Sequence, residues 1–402
     1  MFYIGIDIAK KAHEAGILDE AGEKVGASLS FANSEKGFAK LLANFKKAGV
    51  DTENSVVGME ATGHYWLALY SHLIECGYIV FVVNPIQTDA FRNVGTVRAA
   101  KTDSIDAFII ADLMRFGRFS DTHMASEAMV ALRQLTRHRK SLVKQRTAVK
   151  NQLTGIIDMV FPEYPQLFSD IYGAASKKLL AACPTPGEIA KKRTSSIARM
   201  LSEASGGRFG VDKAREVKEI ASTSFGINFA TDALSFEIKQ KIELIAFVDN
   251  QVELLEKQIA KTLEETDTYL DTIPGIGPVF ASTILAEIGD INRFSEPSQI
   301  VAFAGMDVPA NQSGEFSGSK KHMSKRGSPS LRWALIEAAD KVRIYDPYFR
   351  DYYDKMIARG KHHYIAQAAV ARKLVNVIFT ILKEQRAYLP EPPKRQGIER
   401  LR

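Results

Sequence analysis

Four acidic residues in the first third of the chain have types and spacing that suit metal-dependent phosphate chemistry. Asp7 lies near the end of the apolar run FYIGIDIA, and Glu60 ends a second apolar run, SVVGME. Asp103 and Asp106 are three residues apart on a predicted helix, so both face the same side. Carboxylate oxygens are ligands that Mg²⁺ prefers, and this ion usually keeps waters for a phosphate substrate. Any one acid alone is more simply a surface charge, so the predicted magnesium site depends on all four together.

The segments around these acids predict a mixed α/β domain that covers residues 1–125. Three strands form an antiparallel meander, and two further strands, separated by helices, continue the sheet in parallel. The predicted strands cover residues 2–9, 13–19, 24–32, 55–60 and 78–85, and the predicted helices cover residues 34–49 and 64–77. This order is that of the ribonuclease H-like fold, which brings the strand ends and the following helix to one sheet edge. Carboxylates gathered there repel one another unless a cation neutralises them.

Two cations precede the acid pair, and the domain has one rival interpretation. Arg98 and Lys101, in RAAKTD, are candidates for contacts with a phosphate backbone or are solvated charges. The opening GIDIAKK is also typical of actin-like kinases and ATPases. Those proteins need a second glycine-rich phosphate loop and an adenosine motif, and neither is recognisable in the sequence. The actin-like interpretation also leaves the pair Asp103 and Asp106 unexplained.

The middle of the chain, residues 126–268, has the repeat of two long coiled-coil helices. Apolar residues recur at steps of three and four along residues 132–160 and again along residues 234–262. The first helix is rich in cations, and Arg139 and Arg146 lie within its seam. The cations that we predict to contact nucleic acid are Arg133, Arg137, Lys140 and Lys144. A solvated basic face is the alternative, and the two helices pair either with each other or across a dimer.

The last predicted domain, residues 269–390, opens on a glycine turn. The segment IPGIGP joins two predicted short helices and resembles a helix-hairpin-helix. Gly275 and Gly277 would let backbone amides at a helix N-terminus approach a phosphate closely. The segment lacks the preceding strand and the third glycine of a dinucleotide-binding turn. A helical turn without any ligand is the alternative.

A serine-rich loop followed by a run of cations lies in the same domain. Ser313 and Ser317 each precede a glycine. The following cations with predicted nucleic-acid contacts are Lys320, Lys321, Lys325 and Arg326. A hydroxyl beside several positive charges is a candidate nucleophile toward a phosphodiester, because the charges stabilise the alkoxide and the transition state. Without further information, a loop that has no catalytic role is the simpler interpretation.

The composition is that of a soluble globular protein with a modest excess of positive charge. The chain of 402 residues has 46% hydrophobic residues, 25% charged residues and a net charge of +6. This excess favours a polyanionic partner without proving one. Cys76 and Cys183 form no disulfide framework or zinc site, and they fit a reducing cytosol. The sequence predicts no signal peptide, no membrane span and a basic, disordered tail at residues 391–402.

Together these motifs resemble one family, the DEDD-type insertion-sequence transposases, which are bridge-RNA-guided recombinases. The N-terminal pattern consists of Asp7, Glu60, Asp103 and Asp106, the last two within KTDxxDA. The C-terminal pattern is IPGIGP, then FAGMDVPANQSG, then KRGSPSLR, and the serine of its SG step is Ser313. Ser317, in a second SG, is the alternative nucleophile. The resemblance covers nearly the whole chain and is weakest over the turn-rich residues 161–231.

The resemblance implies a RuvC-like N-terminal domain, a coiled-coil segment and a C-terminal transposase domain. It implies that Mg²⁺ on the four acids acts together with Ser313, which attacks the scissile phosphate and forms a covalent protein–DNA intermediate. A structured noncoding bridge RNA would select donor and target DNA by base pairing. The protein would act as a homo-oligomer, a dimer or a tetramer, in the cytoplasm of a bacterium or archaeon at the nucleoid.

Two other functions are compatible with the same residues. A metal-dependent RuvC-type DNA junction endonuclease would use the four acids without a covalent intermediate, and Ser313 would then be only structural. A non-enzymatic nucleic-acid scaffold would use the basic coiled coil and would need none of the acids.

Overall fold

The computed structural model divides the chain into two compact units. The structure describes residues 1–61, 63–95, 102–117, 119, 126–308, 312–313, 316–317 and 322–390. One unit is Met1–Met124 and the other is Ala125–Arg402. The first is a mixed α/β unit, and the described part of the second is almost entirely helical.

The N-terminal unit is built on a five-stranded sheet with the order β3-β2-β1-β4-β5. Its strands are β1 (Phe2–Asp7), β2 (Ala12–Leu18), β3 (Leu29–Ala32), β4 (Ser55–Glu60) and β5 (Ile79–Val83). Its helices are α1 (Glu35–Ala48), α2 (Trp66–Glu75), α3 (Pro85–Gly95) and α4 (Asp103–Phe116). Strands β1, β2 and β3 pair antiparallel, and β1, β4 and β5 pair parallel. This mixed sheet confirms the predicted α/β class and is consistent with a ribonuclease H-like domain.

Local sequence signals explain most boundaries in this unit. The Ser34 hydroxyl accepts a hydrogen bond from the amide of Gly37 at the start of α1, and Gly49 ends that helix in the left-handed region at φ 72°. Strand β3 is shorter than the predicted residues 24–32. Gly26, at φ 82°, breaks the extended chain before Leu29, so only a single bridge to β2 forms at Lys24.

The described part of the C-terminal unit is an assembly of helices with one small hairpin. Its long helices are α5 (Glu127–Val160) and α10 (Thr231–Glu264), and the helices between them are α6 (Ala174–Ala182), α7 (Pro186–Lys191), α8 (Thr194–Ser205) and α9 (Val211–Ser222). The later helices are α11 (Pro278–Ile288), α12 (Pro297–Phe303), α13 (Pro329–Tyr345), α14 (Pro347–Ala358) and α15 (His363–Glu384). The hairpin is β6 (Gln312–Ser313) with β7 (Phe316–Ser317).

Helices α5 and α10 pack against each other along their length within the one chain. Each has 34 residues, and the buried positions of α10 include Ile238, Ile245 and Val252, which are seven residues apart. The arginines in the predicted seam pair with acids of the partner helix. Arg139 donates to Glu256 at 2.8 Å, and Arg146 donates to Asp249 at 2.7 Å. The cations in the seam of α5 are therefore matched by carboxylates on α10.

Two stretches differ from their predicted structure. The turn-rich residues 161–231 are mainly helical, because the short amphipathic helices α6 to α9 bury a core around Tyr164 against one end of the α5–α10 pair. The first half of the predicted helix-hairpin-helix is only a single 3₁₀ turn, Leu270–Thr272, which precedes α11. Pro274 follows that turn closely, and proline limits helix extension before it.

Helix α15 is long and apolar enough to cross a membrane by length and composition alone, which the sequence prediction did not anticipate. Half of its most apolar window is buried inside the protein. Leu374, Val375 and Ile378 belong to the core of the C-terminal helices. A core helix passes the same test, so this feature is weak support for a membrane span.

Candidate functional site

Strands β1 and β4 bring the first two acids to one edge of the sheet. The strands are parallel neighbours, and Ile6 pairs in register with Met59. Asp7 and Glu60 follow these two residues directly and are the last residues of their strands. Both side chains are partly exposed. The carboxyl ends of the two strands therefore present one acid each, side by side.

Helix α4 adds the second pair of acids from its first turn. The Thr102 hydroxyl accepts a hydrogen bond from the amide of Ile105 and starts the helix. Asp103 is exposed, whereas Asp106 is only 8% exposed. Acids in the first turn also interact favourably with the positive end of the helix dipole. One acid of the pair is thus held against the protein, and the other faces solvent.

A row of glycines lets α4 lie directly on the sheet. Gly16, Gly5 and Gly58 are paired across β2, β1 and β4. A Cβ atom on Gly5 would lie 2.0 Å from the carbonyl oxygen of Ala107, and the other two glycines face Phe108 and Met114 of the same helix. Sequence reasoning missed this row, although a glycine inside each of three strands is a known sign of close backbone approach.

The electrostatics of Asp7 reflect both its burial and the charges of the other three acids. Burial, and then the negative charges of Asp106, Asp103 and Glu60, raise the pKa of Asp7 to about 6. Carboxylates that share one site raise each other's pKa in this way. A cation placed among them would remove the repulsion, so the charge of this cluster fits a divalent metal ion.

Helix α3 contributes two contacts to the cluster that sequence reasoning also missed. The buried Thr88 hydroxyl donates to Glu60 at 2.7 Å. One turn later, Nη2 of Arg92 donates to Oδ1 of Asp106 at 2.8 Å, and Nη1 donates to Asp89 at 3.1 Å. The available signal was weak, namely a hydroxyl and a cation four residues apart on the helix that follows β5.

The acids do not form a complete metal site as they stand. Within the described residues, no group of three or more His, Cys, Asp or Glu side chains has an arrangement that could hold a metal ion. Two of the acids are directed to the protein partners Thr88 and Arg92 instead. The assignment of Asp7, Glu60, Asp103 and Asp106 as metal ligands therefore stays a prediction.

Ser313 lies on the β6–β7 hairpin, where it pairs with Phe316. The side chains of Ser313 and Ser317 lie outside the described residues. The amides of Ser324, Lys325 and Ser328 donate to the carbonyl oxygens of Asp307, Gly305 and Phe303 at 2.9, 3.0 and 2.9 Å. Backbone hydrogen bonds therefore join the residues that precede the serine hairpin, 303–307, to the residues that follow it, 324–328. Lys325 and Arg326 are exposed in the second of these segments.

Arg137, a predicted nucleic-acid contact, forms an ion pair inside the C-terminal unit. Its Nε and Nη2 donate to the two carboxylate oxygens of Glu287 at 2.7 and 3.0 Å. The Ser328 hydroxyl, which caps α13, donates to the same carboxylate at 2.8 Å. Burial favours a higher pKa for Glu287, but the hydrogen bonds and charge of Arg137, with Ser328, hold this pKa below its usual value.

The other predicted cations of α5 differ in their surroundings. Arg133 donates twice to the carbonyl oxygen of Ala286, at 3.0 and 2.6 Å, and burial lowers its pKa. Lys140 lies over the ring of Trp333 at 5.0 Å. Lys144 is exposed. Contact with nucleic acid stays a prediction for all of these side chains, and Lys144 is the most accessible of them.

The two glycines of IPGIGP have different environments. Gly275 has φ 94°, and a Cβ atom there would lie 2.9 Å from the backbone of Lys341, so close packing on α13 explains this glycine. Gly277 precedes α11, and a Cβ atom there would meet nothing within 4 Å. Packing therefore does not explain Gly277. The predicted contacts Arg98, Lys101, Lys320 and Lys321 lie outside the described residues.

Comparison with known proteins identifies similar sequences along almost the whole chain. A family model for DEDD transposases of the IS110 type matches residues 4–162. The model described as the transposase IS116/IS110/IS902 family matches residues 267–354. A 44.8 kDa protein of insertion element IS116 from Streptomyces clavuligerus is 25% identical and aligns with 98% of each chain. The pilin gene-inverting protein of Moraxella bovis is 24% identical and covers 96% of this chain and 97% of its own.

These matches agree with the separate parts of the sequence pattern. The first model spans β1 to the end of α5 and so includes all four acids, and its DEDD type suggests dependence on a divalent metal. The second spans α11, α12 and α13 and so includes the serine hairpin. The two relatives are named for an insertion element and for the inversion of a pilin gene, and both align with nearly the whole of this chain. The chain belongs to the IS110 family of transposases and is therefore a DNA transposase.

Proposed function

We propose that this protein cuts and rejoins DNA at the ends of an insertion sequence, with Ser313 as nucleophile and Mg²⁺ held by Asp7, Glu60, Asp103 and Asp106. A structured noncoding bridge RNA guides it to donor and target DNA. The observation that supports this proposal is geometric: Asp7 and Glu60 end neighbouring parallel strands beside α4, whose first turn has Asp103 and Asp106. Burial and the charges of the other three acids raise the pKa of Asp7, in agreement with this arrangement. Perturbed carboxylates gathered in this way are typical of functional sites.

The family membership supports DNA recombination as the overall reaction. One group of relatives is named for inverting a pilin gene, and another is named for insertion elements. Inversion and insertion both require DNA strands to be cut and then joined to new partners. This chain aligns with both groups over nearly its whole length, so we infer the same type of reaction here.

The serine step conserves the energy of the phosphodiester. The Ser313 oxygen loses its proton and forms a bond to phosphorus, and the bond from phosphorus to the departing deoxyribose oxygen breaks. That oxygen takes up a proton and becomes a free hydroxyl. In the second step a hydroxyl of another DNA strand attacks the phosphoserine ester, so the new phosphodiester forms and serine is restored. Bound Mg²⁺ would supply stabilisation of the negative charge on the phosphate oxygens.

The positive surface supports the proposed nucleic-acid partners. Exposed Lys144, Lys325 and Arg326 offer charge to phosphates without reading a sequence. A guide RNA would supply sequence recognition by base pairing. In this proposal the active form is a homo-oligomer, a dimer or tetramer, that acts at the bacterial or archaeal nucleoid in the cytoplasm.

The test uses purified protein with its co-purified RNA, Mg²⁺, and labelled donor and target DNA. We expect wild-type protein to form a detergent-resistant protein–DNA adduct and recombinant DNA, and Ser313→Ala to form neither. Ser317→Ala is the matched control on the paired strand of the hairpin and should keep both products. Digestion of the RNA beforehand should abolish recombination.

Each part of the proposal has its own contrary result. Adducts that persist in Ser313→Ala but vanish in Ser317→Ala would move the nucleophile to Ser317. Cleaved DNA without any adduct in the wild-type protein would support the junction endonuclease instead. Recombination that survives removal of the RNA would overturn the guided mechanism.

A further inference from the structure

Arg92 lies between two carboxylates at the border of the acidic cluster. Its Nη2 is 2.8 Å from Oδ1 of Asp106, and its Nη1 is 3.1 Å from Oδ1 of Asp89. The Arg92 side chain is 19% exposed, that of Asp106 is 11% exposed, and that of Asp89 is 65% exposed. The contact of the guanidinium with Asp106 is therefore sheltered from water, and its contact with Asp89 is open to water.

The sheltered contact involves one of the four predicted metal ligands. A guanidinium and a metal ion both require lone pairs of a carboxylate, and both are positively charged. A divalent ion bound by Asp106 would be repelled by the guanidinium beside it. The open contact provides Arg92 with another acid, because Asp89 lies one turn earlier on the same helix.

The same helix holds a second acid of the cluster by a neutral contact. Thr88 donates to Glu60 at 2.7 Å and has no charge with which to oppose a metal ion. Arg92 is one turn further along α3, so a single helix orients Glu60 and Asp106 with two chemically different groups. Only the contact with Arg92 changes the total charge of the cluster.

We propose that Arg92 is a positioning residue that serves as the internal counter-cation of the acidic cluster, holding Asp106 in the metal-free protein and competing with the divalent metal. The proposal rests on the proposed function only in that the four acids bind a metal. Metal binding shifts Arg92 toward Asp89. The affinity of the cluster for metal is therefore set partly by the balance between Asp106 and Asp89 as partners of Arg92.

The test measures binding of Mn²⁺ to the full chain without nucleic acid, by the loss of the electron paramagnetic resonance signal of free Mn²⁺. Arg92→Gln keeps much of the length and a donor group but removes the charge. We expect it to bind Mn²⁺ about tenfold more tightly than wild-type protein, since one repelling charge is gone. Arg92→Lys keeps the charge and should stay within about twofold of wild type.

A second variant gives the opposite sign and does not depend on how well Arg92→Gln folds. Asp89→Asn removes the charge of the alternative partner, so Arg92 should remain on Asp106 and Mn²⁺ should bind about threefold more weakly. A merely structural contact at Arg92 would weaken Mn²⁺ binding in every variant. Unchanged or weaker binding in Arg92→Gln, or unchanged binding in Asp89→Asn, would overturn the proposal.

The failure of this inference is distinguishable from failure of the proposed function. Wild-type protein that binds no Mn²⁺, together with Asp7→Asn that behaves identically, would remove the metal site itself and both proposals with it. Wild-type binding that is lost in Asp7→Asn but indifferent to Arg92→Gln would remove only the role of Arg92.

Discussion

Asp7 and Glu287 are two carboxylates that the fold withdraws from solvent, and their pKa values move in opposite directions. Asp7 has three acids near it, and burial with those charges raises its pKa to about 6. Glu287 loses more solvent, yet Arg137 and Ser328 hold its pKa below its usual value. Burial acts in the same direction at both positions, so the difference comes from the charges around each carboxylate.

The comparison separates an acid whose charge is balanced within the fold from acids that we propose to bind a metal ion. Glu287 joins α5, α11 and the start of α13 through Arg137 and Ser328, and its charge is matched within the chain. Of the four acids in the N-terminal cluster, Asp106 has the cation Arg92 beside it. Electrostatic repulsion among carboxylates is tolerated in proteins whose functional state includes a bound cation. Substitutions at the two sites should therefore affect different properties.

The largest expected effect is on activity at the acidic cluster. Asp106→Asn keeps the size of the side chain and removes the charge of one proposed metal ligand. We expect DNA recombination to fall by about 10²- to 10⁴-fold, because a catalytic metal contributes several kcal/mol to transition-state stabilisation. The measurement is the initial rate of recombinant formation at saturating Mg²⁺.

Glu287→Gln is the matched control, because it removes the charge of the structural acid instead. At a temperature where that variant is folded, its rate should stay within about tenfold of wild type. Full activity in Asp106→Asn would show that recombination does not depend on this acid, and it would remove the distinction between the two acids.

The second-largest expected effect is a loss of stability when the ion pair of Glu287 is broken. Arg137→Ala leaves the buried Glu287 carboxylate, 3% exposed, without its ionic partner. Breaking such a pair costs about 3 kcal/mol, at the low end of the usual range because Arg137 itself is half exposed. We expect this loss in the urea unfolding of the C-terminal unit, followed by far-ultraviolet circular dichroism.

Lys144→Ala is the control for Arg137→Ala on the same helix. Lys144 is exposed, so its removal should change stability by less than about 0.5 kcal/mol. If Lys144 contacts a phosphate as predicted, the number of counterions released on nucleic-acid binding should decrease by about one in Lys144→Ala. That number is measured from the slope of the affinity against salt concentration on logarithmic axes. Equal stability losses in the two variants would contradict the structural role of Arg137.

The sequence was sufficient to predict the sheet and the position of the acids on it. Apolar runs that end in Asp7 and Glu60 are local signals, and the N-cap of α4 is also local, so these elements lie near their predicted bounds. Family patterns pointed to Ser313 because its SG step and the KRG that follows lie within one short stretch, residues 313–327. Signals that extend over a few residues were therefore read correctly for the fold class.

The contacts between distant residues could not be predicted in this way. Arg137 and Glu287 are 150 positions apart, and nothing in either neighbourhood indicates the ion pair. Arg92 and Asp106 are 14 positions apart, and they meet only because α3 and α4 pack together. The local sequence around a cation on a helix is the same whether its side chain contacts solvent, a phosphate or a buried acid. Only the packing decides among these partners.

The smallest of these effects is a pH-dependent gain in stability when Asp7 is replaced. The folded protein raises the pKa of Asp7 from 3.8 to about 6. Folding therefore favours protonated Asp7, and its contribution is present below pH 3.8 and is lost as pH rises through about 6. Asp7→Asn mimics the neutral form at every pH. Its stability relative to wild type should be unchanged near pH 4 and should rise to about 1–2 kcal/mol by pH 7, after allowance for solvent screening of a partly exposed group.

The measurement is urea unfolding of metal-free protein from pH 4 to pH 8, with the N-terminal unit observed separately. The chain has two tryptophans, so in a Trp333→Phe background the fluorescence of Trp66 reports on that unit alone. Added Mg²⁺ should cancel the advantage of Asp7→Asn at pH 7, because a bound cation removes the same repulsion in the wild-type protein. An advantage that is constant across the pH range would show that lost repulsion is not its cause. Asp7 would then resemble Glu287, an acid whose charge the fold already balances.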